Sequence, residues 1–249
     1  MHNRSREERV VDVLVELGTR TNGCPFAPVE FLHALVTSSL DLLDAAEVGV
    51  LLGPPGRELR AAASSNEDAA ALELLQCQDR EGPCSDCCRS GRPVSSADLA
   101  REEGRWPTFS RRAVDAGFVS VHAVPMRIGG LVVGAVNLFR DRPGRLSVAD
   151  LRLAQGIADL GAARLVHEQT VRDIQDRVDH LEIALTSRVV IEQAKGILAE
   201  RLDMSPDGAF QLLRSYARSR NLRLSDVADD LIRGRVPPAA FPLDSGVEN

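Results

Sequence analysis

Phe118-Val119-Ser120-Val121-His122-Ala123-Val124-Pro125-Met126 and Leu131-Val132-Val133-Gly134-Ala135-Val136-Asn137-Leu138-Phe139 flank Gly129-Gly130, and this stretch decides the fold class. Two apolar, β-branched runs joined by a glycine pair make a hairpin. Their apolar density places both strands centrally in a sheet. Upstream, Glu47 to Leu52 is a short strand stopped by Gly53-Pro54-Pro55-Gly56, and Leu59 to Ser64 follows as its partner. Helical patterns run over 6–20, 27–43, 68–78 and 108–116, and Arg92 to Ser95 is a short strand. The order helix, two strands, helical middle, two strands, helix predicts an α+β domain: a central antiparallel sheet with flanking helices. It lacks the β-α-β alternation of a nucleotide-binding doubly wound fold.

Downstream the chain changes character. Ser147 caps a helix, and no proline follows until Pro206. Leu153, Ile157 and Leu160 begin a 3-4 spacing that breaks at Arg164 and His167. It resumes at Val171, Ile174, Val178, Leu181 and Leu185, among dense charges. That is a coiled-coil seam and predicts a homodimer stalk, because so charged a helix has little else to bury against. The other reading is one long helix packed on its own domain.

Residues 186–234 read as three helices. Ser205-Pro206-Asp207 opens the second with a capping serine and a proline at its first position. Asn221 ends it, Ser225 caps the third, and Gly234 stops the third. Ala194, Leu198, Phe210, Leu213, Ala217, Val227, Ala228 and Leu231 are the expected core. Helical spacing puts Arg188, Glu192 and Lys195 on one face of the first helix. It puts Gln211, Arg214 and Arg218 on a face of the second, with Arg220 and Arg223 beyond.

The chain has 249 residues and a formal charge of −6, which by itself argues against a nucleic-acid partner. Its distribution differs: residues 186–236 hold nine Lys/Arg against seven Asp/Glu, the only stretch with a basic excess. Lys195 is the only lysine, so any mechanism needing a lysine elsewhere is excluded. No stretch approaches the roughly 18 apolar residues of a membrane helix, and the charged N-terminus is unlike a signal peptide. A cytoplasmic protein without a membrane partner is expected. The histidines share no carboxylate spacing, and no phosphate loop, nucleophile elbow or catalytic carboxylate pair is present. No enzyme is expected, and no cofactor is required.

Arg188-Val189-Val190-Ile191-Glu192-Gln193-Ala194-Lys195-Gly196-Ile197-Leu198, then Ser205-Pro206-Asp207-Gly208-Ala209-Phe210-Gln211-Leu212-Leu213-Arg214-Ser215-Tyr216-Ala217, then Leu224-Ser225-Asp226-Val227-Ala228, closely resemble the ANTAR family. That resemblance implies a transcription antitermination regulator whose three-helix domains bind paired RNA stem-loops as dimers. It implies that Arg188, Lys195, Arg214, Arg218 and Arg220 contact phosphates and loop bases, with Tyr216 available to stack on an unpaired base. Tyr216 as a plain core aromatic is the alternative. A DNA-binding helix-turn-helix is the competing class, but Asp226, Asp229 and Asp230 make the third helix a poor surface against phosphates. A protein–protein signalling module is the other alternative.

Glu81-Gly82-Pro83-Cys84, Arg105-Trp106-Pro107, Ala123-Val124-Pro125-Met126 and Gly134-Ala135-Val136-Asn137-Leu138 resemble a GAF domain over residues 25–165. This implies a sensor with a small-molecule pocket on one face of its sheet. The ligand is unknown; a cyclic nucleotide is discounted because the signature lysine is missing. Cys77, Cys84, Cys87 and Cys88 cluster, with Cys24 remote, and Cys84-Ser85-Asp86-Cys87 has the C-x-x-C spacing of a metal site or redox disulfide. Small buried hydrophobes are the other reading of these thiols. The expected organisation is a sensor domain over 1–165, a stalk over 166–185, an RNA-binding domain over 186–236 and a disordered tail over 237–249.

Overall fold

The structure, a computed structural model, describes residues 5–19, 26–53 and 58–241. It divides into two units, Met1–Thr170 and Val171–Asn249. No described helix is long and apolar enough to cross a membrane.

In the first unit α1 (Arg6–Thr19) and α2 (Pro28–Leu42) precede the hairpin β1 (Glu47–Leu52) and β2 (Arg60–Ser64). The turn expected between these strands falls at 54–57, outside the described residues. Then come α3 (Glu67–Asp79), α4 (Pro83–Ser90), β3 (Val94–Ser96), a 3-10 turn at Leu99–Arg101 and α5 (Pro107–Asp115). The hairpin β4 (Ser120–Ile128) and β5 (Leu131–Arg140) leads into α6 (Val148–Arg201). The sheet order is β2-β1-β5-β4-β3, antiparallel throughout. Thus β4 and β5 are central, as their apolar density predicts. Gly129 and Gly130 both take positive φ, 54° and 84°, which a two-residue turn between twisted strands requires.

Strand alternation sends two sets of side chains to two cores. Val124, Met126, Val136 and Leu138 meet α1, α2 and the start of α6 at Leu17, Leu35, Ile157 and Ala158. Val121 and Phe139 face the other way, onto Trp106 and Phe109 around α5, while Ala123 and Ala135 meet Cys84 and Cys87 of α4. Both faces are covered, so neither central strand needs a polar side.

Two elements depart from the sequence expectation. Strand β3 lies two residues later than its expected start, at Val94–Ser96. Helix α4 has no counterpart in the sequence reading, because eight cysteine- and serine-rich residues carry no apolar period. Its punctuation was visible: Pro83 sits in its first turn, and Gly91 ends it at φ 65°.

The second unit holds the remainder of α6, α7 (Pro206–Ser219) and α8 (Leu224–Ile232). Ser205 caps α7 by accepting from the Gly208 amide at 3.1 Å. Asn221 takes a left-handed φ of 53° beyond the end of α7, as expected of a helix-ending residue. Ser225 lies inside α8 and does not cap it; Arg223 occupies the cap position, with no side-chain bond. Ala194, Leu198, Leu213, Ala217, Val227, Ala228 and Leu231 form the core, while Phe210 is only half-buried. Val171, Ile174, Val178, Leu181 and Leu185 are all exposed, by 40 to 65%. The tail expected to be disordered from Pro237 departs from that at its start. Pro238–Ala240 form a 3-10 turn and Phe241 is buried against the three-helix core, because its ring finds the Tyr216 ring at 4.4 Å. Residues 242–249 lie outside the described residues.

Candidate ligand cavity and candidate nucleic-acid interface

The GAF-like segments quoted above meet one another in space. Glu81 Oε1 accepts from the amides of Thr108 and Phe109, at 2.8 and 3.0 Å, and so caps α5 from a remote loop. Asp86 of α4 accepts from the Trp106 indole at 3.1 Å and pairs with Arg105 at 2.9 Å. The Arg105 guanidinium lies 4.3 Å from the Trp106 ring. These segments therefore fasten α4 to α5.

Beneath them is a buried polar chain. Asn137 Nδ2 donates to Glu73 Oε1 at 2.7 Å, Gln76 Nε2 donates to Glu73 Oε2 at 3.1 Å, and Gln76 Oε1 accepts from the Cys84 amide at 2.8 Å. Gly82, at φ 126°, leaves the space that the Gln76 side chain fills. Burial pushes the Glu73 carboxyl up to about 8, against a smaller lowering from Asn137. At neutral pH Glu73 is mostly the neutral acid. Nothing in the sequence reading singled out Glu73, because a lone glutamate on a helix is ordinarily a solvated one.

A cavity of about 970 Å³ opens among β2, α3 and α4. Leu59, Arg60, Gln76, Cys77, Ser85 and Cys88 are among its walls. It has the size of a small-molecule site. The four clustered cysteines separate here. Cys77 and Cys88 are half-buried in the cavity wall, whereas Cys84 and Cys87, the C-x-x-C pair, are wholly buried in apolar core. Burial raises all four thiols, with Cys77 moved least and Cys88 to about 12. Among the described residues no three His, Cys, Asp or Glu side chains converge as metal ligands. Cys24 lies outside the described residues.

In the second unit a groove of about 400 Å³ is lined by Gln211, Arg214, Ser215, Arg218 and Ser219, all on one face of α7. Arg214 and Arg218 are exposed there, with no carboxylate partner among the described residues. The other expected contacts are placed differently. Arg188 is exposed on α6, away from the groove lining. Lys195 bonds both oxygens of Glu192, at 3.0 and 2.9 Å, and lies 5.7 Å from the Phe210 ring centre. Arg220 covers the Tyr216 ring at 3.7 Å. Tyr216 is itself buried, its ring 4.4 Å from that of Phe241. A tyrosine three residues after Leu213 on an amphipathic helix gives no warning of this, since the burying residue lies 25 positions away. On α8, Asp229 and Asp230 pair with Arg233 and Arg235.

Residues 28–166 match the family model described as GAF domain, and residues 179–232 match the one described as ANTAR domain. No curated protein matches the chain. Among solved structures, the GAF domain of an Acinetobacter phosphoenolpyruvate-protein phosphotransferase is 14% identical, with TM-score 0.52, over 69% of this chain and 98% of that one. The corresponding Coxiella burnetii domain is 14% identical, with TM-score 0.51, over 68% and 99%. A free methionine-R-sulfoxide reductase from Neisseria meningitidis, in complex with its substrate, is 13% identical, with TM-score 0.51, over 69% and 98%. Domains of two phosphotransferases and a reductase share this fold, so the fold alone assigns no chemistry.

Proposed function

The chain belongs to the GAF–ANTAR family, and from that premise we propose that it is a signal-responsive, RNA-binding antitermination regulator. Its pairing of a GAF with an ANTAR domain suits a regulatory protein. The observation that carries the RNA reading is the α7 groove. Two guanidiniums without a carboxylate partner among the described residues, Arg214 and Arg218, stand one turn apart, and Ser215 and Ser219 share the groove lining with them. Planar forks at that spacing suit successive phosphates of an RNA loop. Lys195 is paired with Glu192 and Tyr216 is packed against Phe241, so Arg214 and Arg218 are the contacts on which this reading rests.

Titration against a twin-hairpin RNA and a matched DNA duplex tests this. Preferential RNA binding is expected. The Arg214→Ala, Arg218→Ala double variant should lose about 10–100-fold in affinity and flatten the salt dependence by about two phosphate contacts. Equal affinity for both nucleic acids, or an unchanged salt slope in the variant, would refute the reading.

Dimerisation belongs to the same proposal. The exposed 3-4 seam from Val171 to Leu185 has no partner among the described residues, and a second copy would cover it. Each of these side chains contributes about 1.5–3 kcal/mol when fully buried. Two weak hairpin contacts held by one dimer reinforce each other through effective concentration. Val178→Glu with Leu185→Glu should yield a monomer in analytical ultracentrifugation and bring twin-hairpin affinity down to that of a single hairpin. A variant that stays dimeric would place the interface elsewhere.

A further inference from the structure

We propose that Cys77 and Cys88 are a thiol–disulfide exchange pair in the cavity of the GAF unit, and that its reactant is a small, negatively charged organic disulfide. The C-x-x-C spacing points to Cys84 and Cys87, but both are sealed in the core and out of reach of any reactant. Cys77 and Cys88 come from different helices and share the wall of one cavity.

The helix junction sets their approach. Ser85 Oγ donates to the Gln76 carbonyl at 3.2 Å, and the Cys84 amide donates to the Gln76 side chain at 2.8 Å. The first turn of α4 is thereby docked on the last turn of α3. Cys77 directly follows Gln76, and Cys88 stands three residues, a rise of about 4.5 Å, beyond Ser85 on the same side of the helix. Both thiols pack against the same small apolar cluster.

The reactant class follows from charge and size. Arg60, Arg80 and Arg89 line the cavity against Glu58 alone, an excess of positive charge. Arg80 is paired with Glu58 and Arg89 with Asp86, while Arg60 has no ion pair among the described residues. Guanidiniums bind carboxylates in preference to neutral groups. The volume accommodates a molecule with two carboxylate arms and a central S–S bond.

Burial raises both thiols, Cys77 less than the more deeply buried Cys88, with the Ala61 backbone lowering Cys77 further. In the proposed exchange Cys77 attacks first, as the less deeply buried of the two. The bond from Cys77 Sγ to one reactant sulfur forms as the reactant S–S bond breaks, and the departing thiolate takes up the proton that Cys77 released. Cys88 then attacks Cys77 Sγ. The Cys77–Cys88 bond forms, the mixed disulfide breaks, and the second small thiol leaves with the proton from Cys88. Two protein thiols are oxidised and one external disulfide is reduced to two thiols.

The inference rests on the reading of the GAF unit as the sensing half of the chain. It is tested without RNA, so a failure of the RNA reading would leave it standing. Reduced full-length protein is incubated with oxidised glutathione, or with neutral bis(2-hydroxyethyl) disulfide, and mapped by non-reducing peptide mass spectrometry. The expected product is a Cys77–Cys88 crosslink lacking two hydrogens, formed faster with the anionic reagent, and Arg60→Ala should narrow that difference. Cys88→Ser should trap the mixed disulfide on Cys77, Cys77→Ser should slow thiol loss about tenfold or more, and Cys87→Ala should leave the crosslink intact. A crosslink through Cys84 or Cys87 would overturn the assignment. So would folded protein that is inert where urea-unfolded protein reacts.

Discussion

Raising the pH from 6.5 to 8 is expected to weaken the GAF unit by about 2 kcal/mol, with Glu73 as the cause. Its folded carboxyl is raised to about 8 from an ordinary value of 4.5. Between those values the folded chain holds a proton that the unfolded chain has released. Stability therefore falls as pH rises, and the full loss over that span is of order a few kcal/mol. His122 acts oppositely in the lower part of the range. Burial, with Arg140 nearby, lowers its imidazole from 6.5 to about 4, so the unfolded chain binds the extra proton and stability rises with pH up to about 6.5. Above 6.5 the His122 contribution fades within about one pH unit and the Glu73 effect dominates, and above 9 the raised thiols would add to it. Trp106 is the only tryptophan, and it lies in this unit, so its fluorescence in urea titrations reports the transition directly. Glu73→Gln keeps the shape and should level the curve between 6.5 and 8. A slope that survives the substitution would mean that a group other than Glu73 releases the proton.

Trp106→Ala is expected to destabilise the same unit by about 3–5 kcal/mol, the usual range for emptying a large aromatic site. The ring is 2% exposed and sets its edge against Phe109, with centroids 6.0 Å apart. Its indole N–H also holds Asp86, so the variant loosens α4 from α5 as well as leaving a cavity. Far-UV circular dichroism in urea replaces fluorescence as the reporter. Trp106→Phe restores much of the volume but not the bond to Asp86, and should recover about half of the loss. A cost below about 1 kcal/mol for the alanine variant would show that Trp106 is not the anchor of the α4–α5 layer.

How far the sequence carries depends on whether a feature is local. The central hairpin was legible because unbroken apolar runs on both sides of Gly129-Gly130 admit few other folds. The long helix was legible because the chain from Ser147 to Ser205 contains no proline and keeps helical spacing over most of its length. The α7 cations were legible for the same reason: Gln211, Arg214 and Arg218 share a face by spacing alone, and the structure keeps them on one groove. In each case the determining interactions lie within a few turns or one strand pairing.

What the sequence left open is set by contacts between distant segments. Whether Tyr216 is a stacking platform or a core residue depends on Phe241, and whether Lys195 is free depends on its packing beside Phe210. The C-x-x-C spacing names Cys84 and Cys87, but the docking of α4 on the sheet buries that pair, while Cys77 of α3 and Cys88 of α4 line the cavity. Glu73 looks like any solvated glutamate until Gly49, Gln76 and Asn137 close around it. Helical and strand periods assign a residue to a face. Only the packed fold decides what that face meets, and burial against that neighbour sets charge state, reach and reactivity.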